Sequence, residues 1–280
     1  MKEKRKNNSL NLWGNGGIVL CENNNMSVWG KVIGGVAGFA LGGPLGAMMG
    51  VMAGNIYDKK RKTSSTDQGI LNQQKKYQEI SNQEKQHIFA LSVITLTAKL
   101  AKADGVVTQD EIEVFKKKFK IPPNEEEQVR KIFNEAQKTV YGFESIAQQV
   151  GELLQDTPEV LEEILNNLFY VAEADGKISE SELNFLKTVS SIFKFDESTF
   201  QRIYQARLND KESDPYKVLG VKRTDNEETI KKAWIRLTQK HHPDNLVAKG
   251  MPPEFIKQAT KETSSFNAAY DKINKQRNVN

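Results

Sequence analysis

The chain has 280 residues, 38% of them hydrophobic and 27% charged, with a formal net charge of +4 and a mean hydropathy of −0.58. Those values exclude a polytopic membrane protein and a collagen-like chain. One cysteine, Cys21, and three histidines, His87, His241 and His242, exclude a disulfide-stapled scaffold, a cysteine-rich zinc module and a histidine-rich metal centre, so no cofactor is expected. The net charge conceals a division along the chain: residues 1–80 carry +6, residues 81–210 carry −7 and residues 214–280 carry +5. A basic start, an acidic middle and a basic end each require their own reading.

Residues 1–31 read as an N-terminal extension. Its basic residues Lys2, Lys4, Arg5 and Lys6 precede a weakly apolar stretch, Leu10–Leu20, that is broken by Asn11, Gly14, Asn15, Gly16 and Gly17. It lacks the unbroken apolar core and cleavage site of a signal peptide. Residues 1–25 are expected to be dispensable, with Met26 as the working start. From Val32 to Tyr57 there are 26 residues without a charge, eight of them glycine. As a helix this run would span about 39 Å, against roughly 30 Å of bilayer hydrocarbon. Gly34, Gly38, Gly42, Gly46, Gly50 and Gly54 recur at every fourth position, which puts glycine on one face where two backbones can approach closely. In water eight glycines would cost such a helix about 8 kcal/mol relative to alanine, and soluble linkers favour Ser and Asn over the Val, Ile, Leu, Met and Phe found here. The run 32–57 is therefore expected to cross a membrane and to pair with a second copy through its glycine face. Trp29 and Tyr57 sit where interfacial aromatics belong, and Lys59, Lys60, Arg61 and Lys62 place residues 58–280 in the cytoplasm by the positive-inside rule. Residues 58–80, basic and then polar, read as a stop and a tether.

Residues 81–208 contain an internal repeat. Ala101-Lys102-Ala103-Asp104-Gly105 and Ala172-Glu173-Ala174-Asp175-Gly176 each follow an apolar helical run, with Leu91, Ile94 and Ala98 before the first and Leu161, Leu165 and Leu168 before the second. Each then starts a new helix at a capping box, Thr108-x-x-Glu111 and Ser179-x-x-Glu182, and a third box, Ser81-x-x-Glu84, opens the segment. The Asp-Gly strings copy the later positions of an EF-hand loop, but the required oxygen ligand at its first position would be Leu100 or Val171. A helix-turn-helix corner is the better reading, with a weak cation site around Asp104, Glu111, Asp175 and Glu182 as the lesser one. The paired Ala-Asp-Gly turns with their trailing Glu resemble the TerB-like helical domain over roughly 85–205, which implies a sensing or interaction role.

Residues 214–280 open with Asp214-Pro215-Tyr216-Lys217-Val218-Leu219-Gly220-Val221, a short helix ending at glycine. Thr224-x-x-Glu227 is expected to cap a second helix with Ile230, Ala233, Trp234 and Leu237 inward and Lys231, Lys232, Arg236 and Lys240 outward. Pro243 disfavours the helical conformation at His242, so a loop is expected there, with His242 and Asp244 exposed beside the basic face. A third helix should follow Pro252-Pro253, with Phe255, Ala259, Phe266, Ala269, Tyr270 and Ile273 apolar. His241, His242 and Asp244 have no fourth ligand nearby, no nucleophile accompanies the histidines, and the basic face lacks the interleaved aromatics of a nucleic-acid binder. Protein docking is the reading that remains.

The Pro-Tyr-x-Val-Leu-Gly opening, the basic second helix and His242-Pro243-Asp244 closely resemble the J-domain of DnaJ-type co-chaperones. Together with Trp29-Gly30-Lys31-Val32-Ile33-Gly34-Gly35, the TerB-like middle and Asn245-Leu246-Val247-Ala248-Lys249-Gly250-Met251, the whole order resembles the DjlA-like family of membrane-anchored DnaJ-type co-chaperones of Gram-negative bacteria. The resemblance implies an all-α protein of the inner membrane that is no enzyme. Its Lys231, Lys232, Arg236 and Lys240 would dock on an acidic surface of a DnaK-type chaperone, while His242, Pro243 and Asp244 trigger that partner's ATP hydrolysis. The alternative is a membrane scaffold or a stress or cation sensor acting through the TerB-like domain. The chain departs from the J-domain pattern in having Ile235 where a basic residue is usual, His241 for tyrosine and Asn245 for lysine. Trp234 replaces a core tyrosine, and Thr263 and Ser264 interrupt the third-helix pattern. Ile235 is expected to face another surface, the acidic middle domain being the candidate.

Overall fold

A computed structural model describes residues 81–103, 119–138, 142–173, 178–208 and 213–278, and also 46, 113 and 115–117. Among these the chain forms helices and turns and no strand, in line with the expected all-α class. Gly46 is helical. Gly34, Gly38, Gly42, Gly50 and Gly54 lie outside the described residues, as do the rest of 32–57, the tether 58–80 and the corner residues Asp104, Thr108, Glu111 and Asp175. No helix among the described residues is long and apolar enough to cross a membrane.

The middle unit comprises α1 (Asn82–Ala103), α2 (Glu126–Lys138), α3 (Phe143–Leu153), α4 (Pro158–Ala172), α5 (Glu180–Ile192) and α6 (Glu197–Gln205). The capping box at Ser81 forms as expected: its amide donates to Glu84 Oε2 at 2.8 Å, and Glu84 N donates back to Ser81 Oγ. Every residue from Ile88 to Ala98 is buried, so α1 is enclosed on all sides and runs through the core, packed on α2, α3, α4 and α5. The second interior helix is α4, where Pro158 occupies the first turn and Val160, Leu161, Ile164, Leu165, Leu168 and Phe169 are buried. At α5 the Ser179–Glu182 box is complete, so Glu182 is engaged in a cap. Asp196 caps α6 by accepting from Thr199 N at 2.8 Å, and those bonds hold its carboxyl below the usual carboxylate range.

The C-terminal unit comprises α7 (Pro215–Val218), α8 (Glu227–Lys240), α9 (Pro243–Ala248), a 3₁₀ turn at Pro253–Phe255 and the long α10 (Ile256–Asn278). Asp214 caps α7, and Gly220 ends it in the left-handed region at φ 65, a conformation that suits glycine. The cap of α8 differs from the expected one. Lys222 N donates to Asp225 Oδ2 and Asp225 N to Lys222 O, which closes residues 222–225 into a turn. Thr224 is held inside it, and Asn226 becomes the cap, accepting from Thr229 N at 2.8 Å. Tyr216, Leu219, Ile230, Leu237, Phe266, Ala269 and Ile273 form the small core between α7, α8 and α10. Trp234 lies flat on Tyr270, with centroids 4.4 Å apart and planes within 7°, and donates to Asn267 Oδ1 at 2.8 Å. The larger ring thus spans α8 and α10 in place of a tyrosine.

The two units do not stop at each other's surface. Leu246, Met251, Phe255 and Ala259 belong to the core of the middle unit, and the Phe255 ring meets Phe89 edge-on at 4.8 Å and Phe119 at 5.2 Å. Gly250 is at φ 101, and a Cβ there would lie 2.5 Å from Lys85 Cβ. Only glycine lets the chain pass α1 so closely. Asn82 Nδ2 donates to Ala248 O at 3.0 Å, and Lys249 pairs with Glu159 at 3.0 Å across the same seam. Because Phe255 belongs to one unit and its neighbours to the other, Phe255→Ala should destabilise both together by about 3–5 kcal/mol. Urea unfolding of the detergent-solubilised chain, followed by helicity, should show one transition at a lower midpoint; two separated transitions would contradict the shared core.

Candidate functional site

The last three turns of α8 set the site. With Ile230, Ala233 and Leu237 turned to the core, Lys231, Lys232 and Arg236 are exposed to solvent. Lys232 pairs with Glu228 one turn back at 2.6 Å, both groups 74% exposed, so the pair adds little. Lys240 behaves differently: its side chain is 32% exposed and its ammonium lies 2.9 Å from Glu162 of α4. Burial and the neighbouring Arg202 charge lower its pKa. The basic face of α8 therefore offers three solvent-exposed cations, Lys232 among them in a surface pair, with the fourth drawn into the seam. Ile235, expected against the middle unit, is instead 37% exposed, because the seam is built from the C-terminal end of α8 and its centre points to solvent.

After α8 the chain does not open into the expected loop. His242 is the N-cap of α9, and Pro243 fills its first turn, where its fixed φ is preorganised for a helix. His242 Nδ1 accepts from Asp244 N at 3.3 Å, and the His242 and Asp244 side chains are 53% and 94% exposed. Asn245 Nδ2 donates to Lys240 O at 2.9 Å and Thr263 Oγ1 to His241 O at 3.2 Å, tying the end of α8 to α9 and α10. Two departures from the J-domain pattern are thus the groups that brace this corner.

His241, next to the exposed motif, is completely buried, so it does not share a site with His242 and Asp244. Its Nδ1 lies 3.0 Å from Glu163 Oε1 and 3.6 Å from Glu262 Oε2, and its Nε2 lies 3.1 Å from Glu162 Oε1. Arg202 of α6 is ion-paired with Glu162 and lies 3.6 Å from Glu262, while Asn166 Nδ2 donates to Glu262 at 2.6 Å. The Phe266 ring closes the cluster beside the imidazole at 5.6 Å. Burial and the negative Glu262 push Glu163 up to about 8. Burial opposes ionisation of Glu262 too, but His241, a hydrogen bond from Glu163 and the Arg202 charge hold it at about 2. Arg202 and Lys240 are the cations that face Glu162 and Glu262. Glu162, His241 and Glu262 offer donor atoms within 4.8 Å of one another, close enough for a small cation, but Arg202 already contacts both carboxylates. A divalent ion would unbalance the cluster, so these residues do not fit a metal. Sequence reasoning missed Glu162, Glu163, Arg202 and Glu262. The available signal was a Glu-Glu pair inside the apolar run of α4.

A basic helix that ends at an exposed His-Pro-Asp corner and packs on a long third helix defines a J-domain. The DnaJ domain family matches residues 214–278, the tellurite resistance protein TerB family matches residues 90–205, and the co-chaperone DjlA transmembrane domain family matches residues 26–67. Co-chaperone protein DjlA of Photobacterium profundum is 27% identical over 280 residues, covering 89% of this chain and 99% of the relative. Co-chaperone protein DjlA of Shewanella oneidensis is 28% identical over 269 residues, covering 91% and 100%, and that of Coxiella burnetii is 28% identical over 273 residues, covering 89% and 98%. No solved structure matches the chain. The chain is DjlA-like, with the transmembrane, TerB and DnaJ domains in that order along about nine-tenths of its length, and these findings support a co-chaperone role for a membrane-anchored bacterial protein.

Removing one carboxylate from the cluster leaves buried cations unpaired. Glu162→Ala should therefore cost about 3–5 kcal/mol, more than an exposed pair such as Glu228–Lys232. The urea midpoints of the two variants, Glu162→Ala and Glu228→Ala, decide this; equal shifts would mean that the cluster contributes no more than a surface contact.

Proposed function

We propose that the chain is a membrane-anchored co-chaperone whose J-domain docks on a DnaK-type chaperone and stimulates its ATP hydrolysis. The observation that carries this reading is the exposure of His242 and Asp244 at the start of α9, at the end of the helix that carries the exposed cations Lys231, Lys232 and Arg236. Such a face attracts an acidic surface over several ångströms, which speeds encounter and weakens with salt, while the corner supplies specificity. Lys240 contributes less to steering than the other three because Glu162 compensates its charge. The ATPase site belongs to the partner, so the chain acts as a regulator and is not itself an enzyme. Residues 214–280 form the docking module and 81–208 the TerB-like unit beneath it. Residues 32–57 cross the inner membrane once, with residues 58–280 in the cytoplasm, and the glycine face from Gly34 to Gly54 pairs two copies. The relatives' name as co-chaperones and the match to a transmembrane domain family favour this arrangement.

Single-turnover ATP hydrolysis by a DnaK-type chaperone tests the reading. The full chain in nanodiscs should accelerate it, His242→Gln should abolish the acceleration, and Arg236→Ala should weaken it chiefly at low salt. Equal stimulation by the native chain and His242→Gln would shift the function to the TerB-like domain as a scaffold or sensor.

A further inference from the structure

The residue just before the exposed corner is the most enclosed titratable group of the C-terminal unit, and its surroundings have an arithmetic of their own. Three carboxylates, Glu162, Glu163 and Glu262, converge on the His241 ring, against two cations, Arg202 and Lys240. One more positive charge is needed to close the cluster, and a shared proton supplies it. Among the described residues Glu163 Oε2 and Glu262 Oε1 are buried without a hydrogen-bond partner. The Glu163 and Glu262 carboxyls lie within hydrogen-bond reach of each other, which requires a proton on one, and Glu163, the group pushed up to about 8, is the one that carries it. Protonated Glu163 then donates to Glu262, and both ring nitrogens of His241 meet a carboxyl oxygen, Nδ1 that of Glu163 and Nε2 that of Glu162.

We infer that His241 is a positioning residue of the J-domain: the TerB-like domain grips its imidazole through Glu162 and Glu163, with Glu262 of α10 behind them, and so fixes the angle at which His242-Pro243-Asp244 is presented. The grip acts on the motif through the main chain. His241 is the C-cap of α8, its carbonyl accepts from Thr263, and the next residue caps α9. The groups facing the cluster are known from each element: Glu159, Glu162 and Glu163 from α4, Arg202 and Arg207 from the α6 side, Arg236 and Lys240 from α8 and Glu262 from α10. Of these, Arg207 is already paired with Glu173, and Glu159 with Lys249.

The pH dependence follows from the sign of the Glu163 shift. A carboxyl that ionises near 4.5 in an unfolded chain and near 8 in the folded one binds a proton that the open state lacks. Its contribution is complete below 4.5 and declines as pH rises through about 8, where an uncompensated negative charge appears inside the seam. Loss of the proton should loosen the corner while the apolar seam keeps the units together. Glu163→Gln supplies a permanent donor to Glu262 and an acceptor for His241, imitating the protonated acid.

The test uses the full chain in nanodiscs and two readouts. The first is hydrogen exchange of amides 240–249, corrected for intrinsic rates, between about pH 7 and 9. Protection should fall about tenfold in the native chain over this range and stay level in Glu163→Gln. The second, which rests on the co-chaperone reading, is the ratio of stimulated to unstimulated hydrolysis by the partner chaperone. His241→Gln should lower maximal stimulation about tenfold with little change in the half-saturating concentration, because the free basic face remains. Parallel pH profiles for the native chain and Glu163→Gln in exchange would overturn the inference whether or not the chaperone responds. Stimulation lost in His242→Gln but intact in His241→Gln would overturn it while leaving the co-chaperone reading in place. If the native chain itself fails to stimulate, the co-chaperone reading falls and exchange alone decides the grip. Thermal melts of both variants distinguish a loosened corner from an unfolded domain.

Discussion

Burying ionised carboxylates between two folded units is costly unless each is compensated, and that constraint organises this molecule. Glu162, Glu163 and Glu262 lie where the TerB-like and J-domain units meet, and Arg202, Lys240, His241 and a proton are brought to them from separate helices. The end of α8 has no freedom left once those partners are assembled. Its middle, by contrast, carries Lys231, Lys232, Ile235 and Arg236 outward. One helix is thus anchored at its tip and offered to solvent along its side, an arrangement suited to receiving a partner without being carried away from the unit beneath it.

The polar cluster does not act alone. Leu246, Met251, Phe255 and Ala259 complete the core beneath it, and Gly250 permits the close passage over α1. Apolar contacts of this kind are non-directional, whereas the cluster demands particular partners at particular distances. The division of labour is therefore between adhesion, supplied by Phe255 and its neighbours, and orientation, supplied by the charges around His241. The basic J-domain and the acidic middle unit do have opposite charges, but the contact between them is made by a few buried groups and an apolar patch. General attraction between the two surfaces plays the smaller part.

Local chemistry made much of the fold legible in the sequence. The capping boxes at Ser81 and Ser179, the apolar periods of α4 and α8, the glycine at the end of α7 and the exposure of His242 and Asp244 were all readable because each depends on residues within one or two turns. The cap at Asn226 was not, since a turn closed by Asp225 competed for Thr224. The seam was invisible for a different reason: it joins α4 to residues 78 positions later at the end of α8, and no period in the chain marks that pairing. His241, Asn245 and Thr263 departed from the J-domain pattern without visible cause in one dimension. In three dimensions they lie at a single corner, His241 bonded to Glu163, Asn245 to the Lys240 carbonyl at the end of α8 and Thr263 to the His241 carbonyl. Ile235 is the exception, exposed on α8 and facing no part of the described chain that explains it.

The cap at the start of α9 also fixes which form of the His242 ring meets a partner. Because Nδ1 accepts the Asp244 amide hydrogen, its lone pair is committed, and the neutral imidazole carries its hydrogen on Nε2. The ring edge left in solvent is then a hydrogen-bond donor in both charge states. A surface that receives this corner must therefore offer an acceptor, such as a carbonyl or a carboxylate. The histidine can instead take up a proton there as a base only by giving up the tautomer that the helix cap selects.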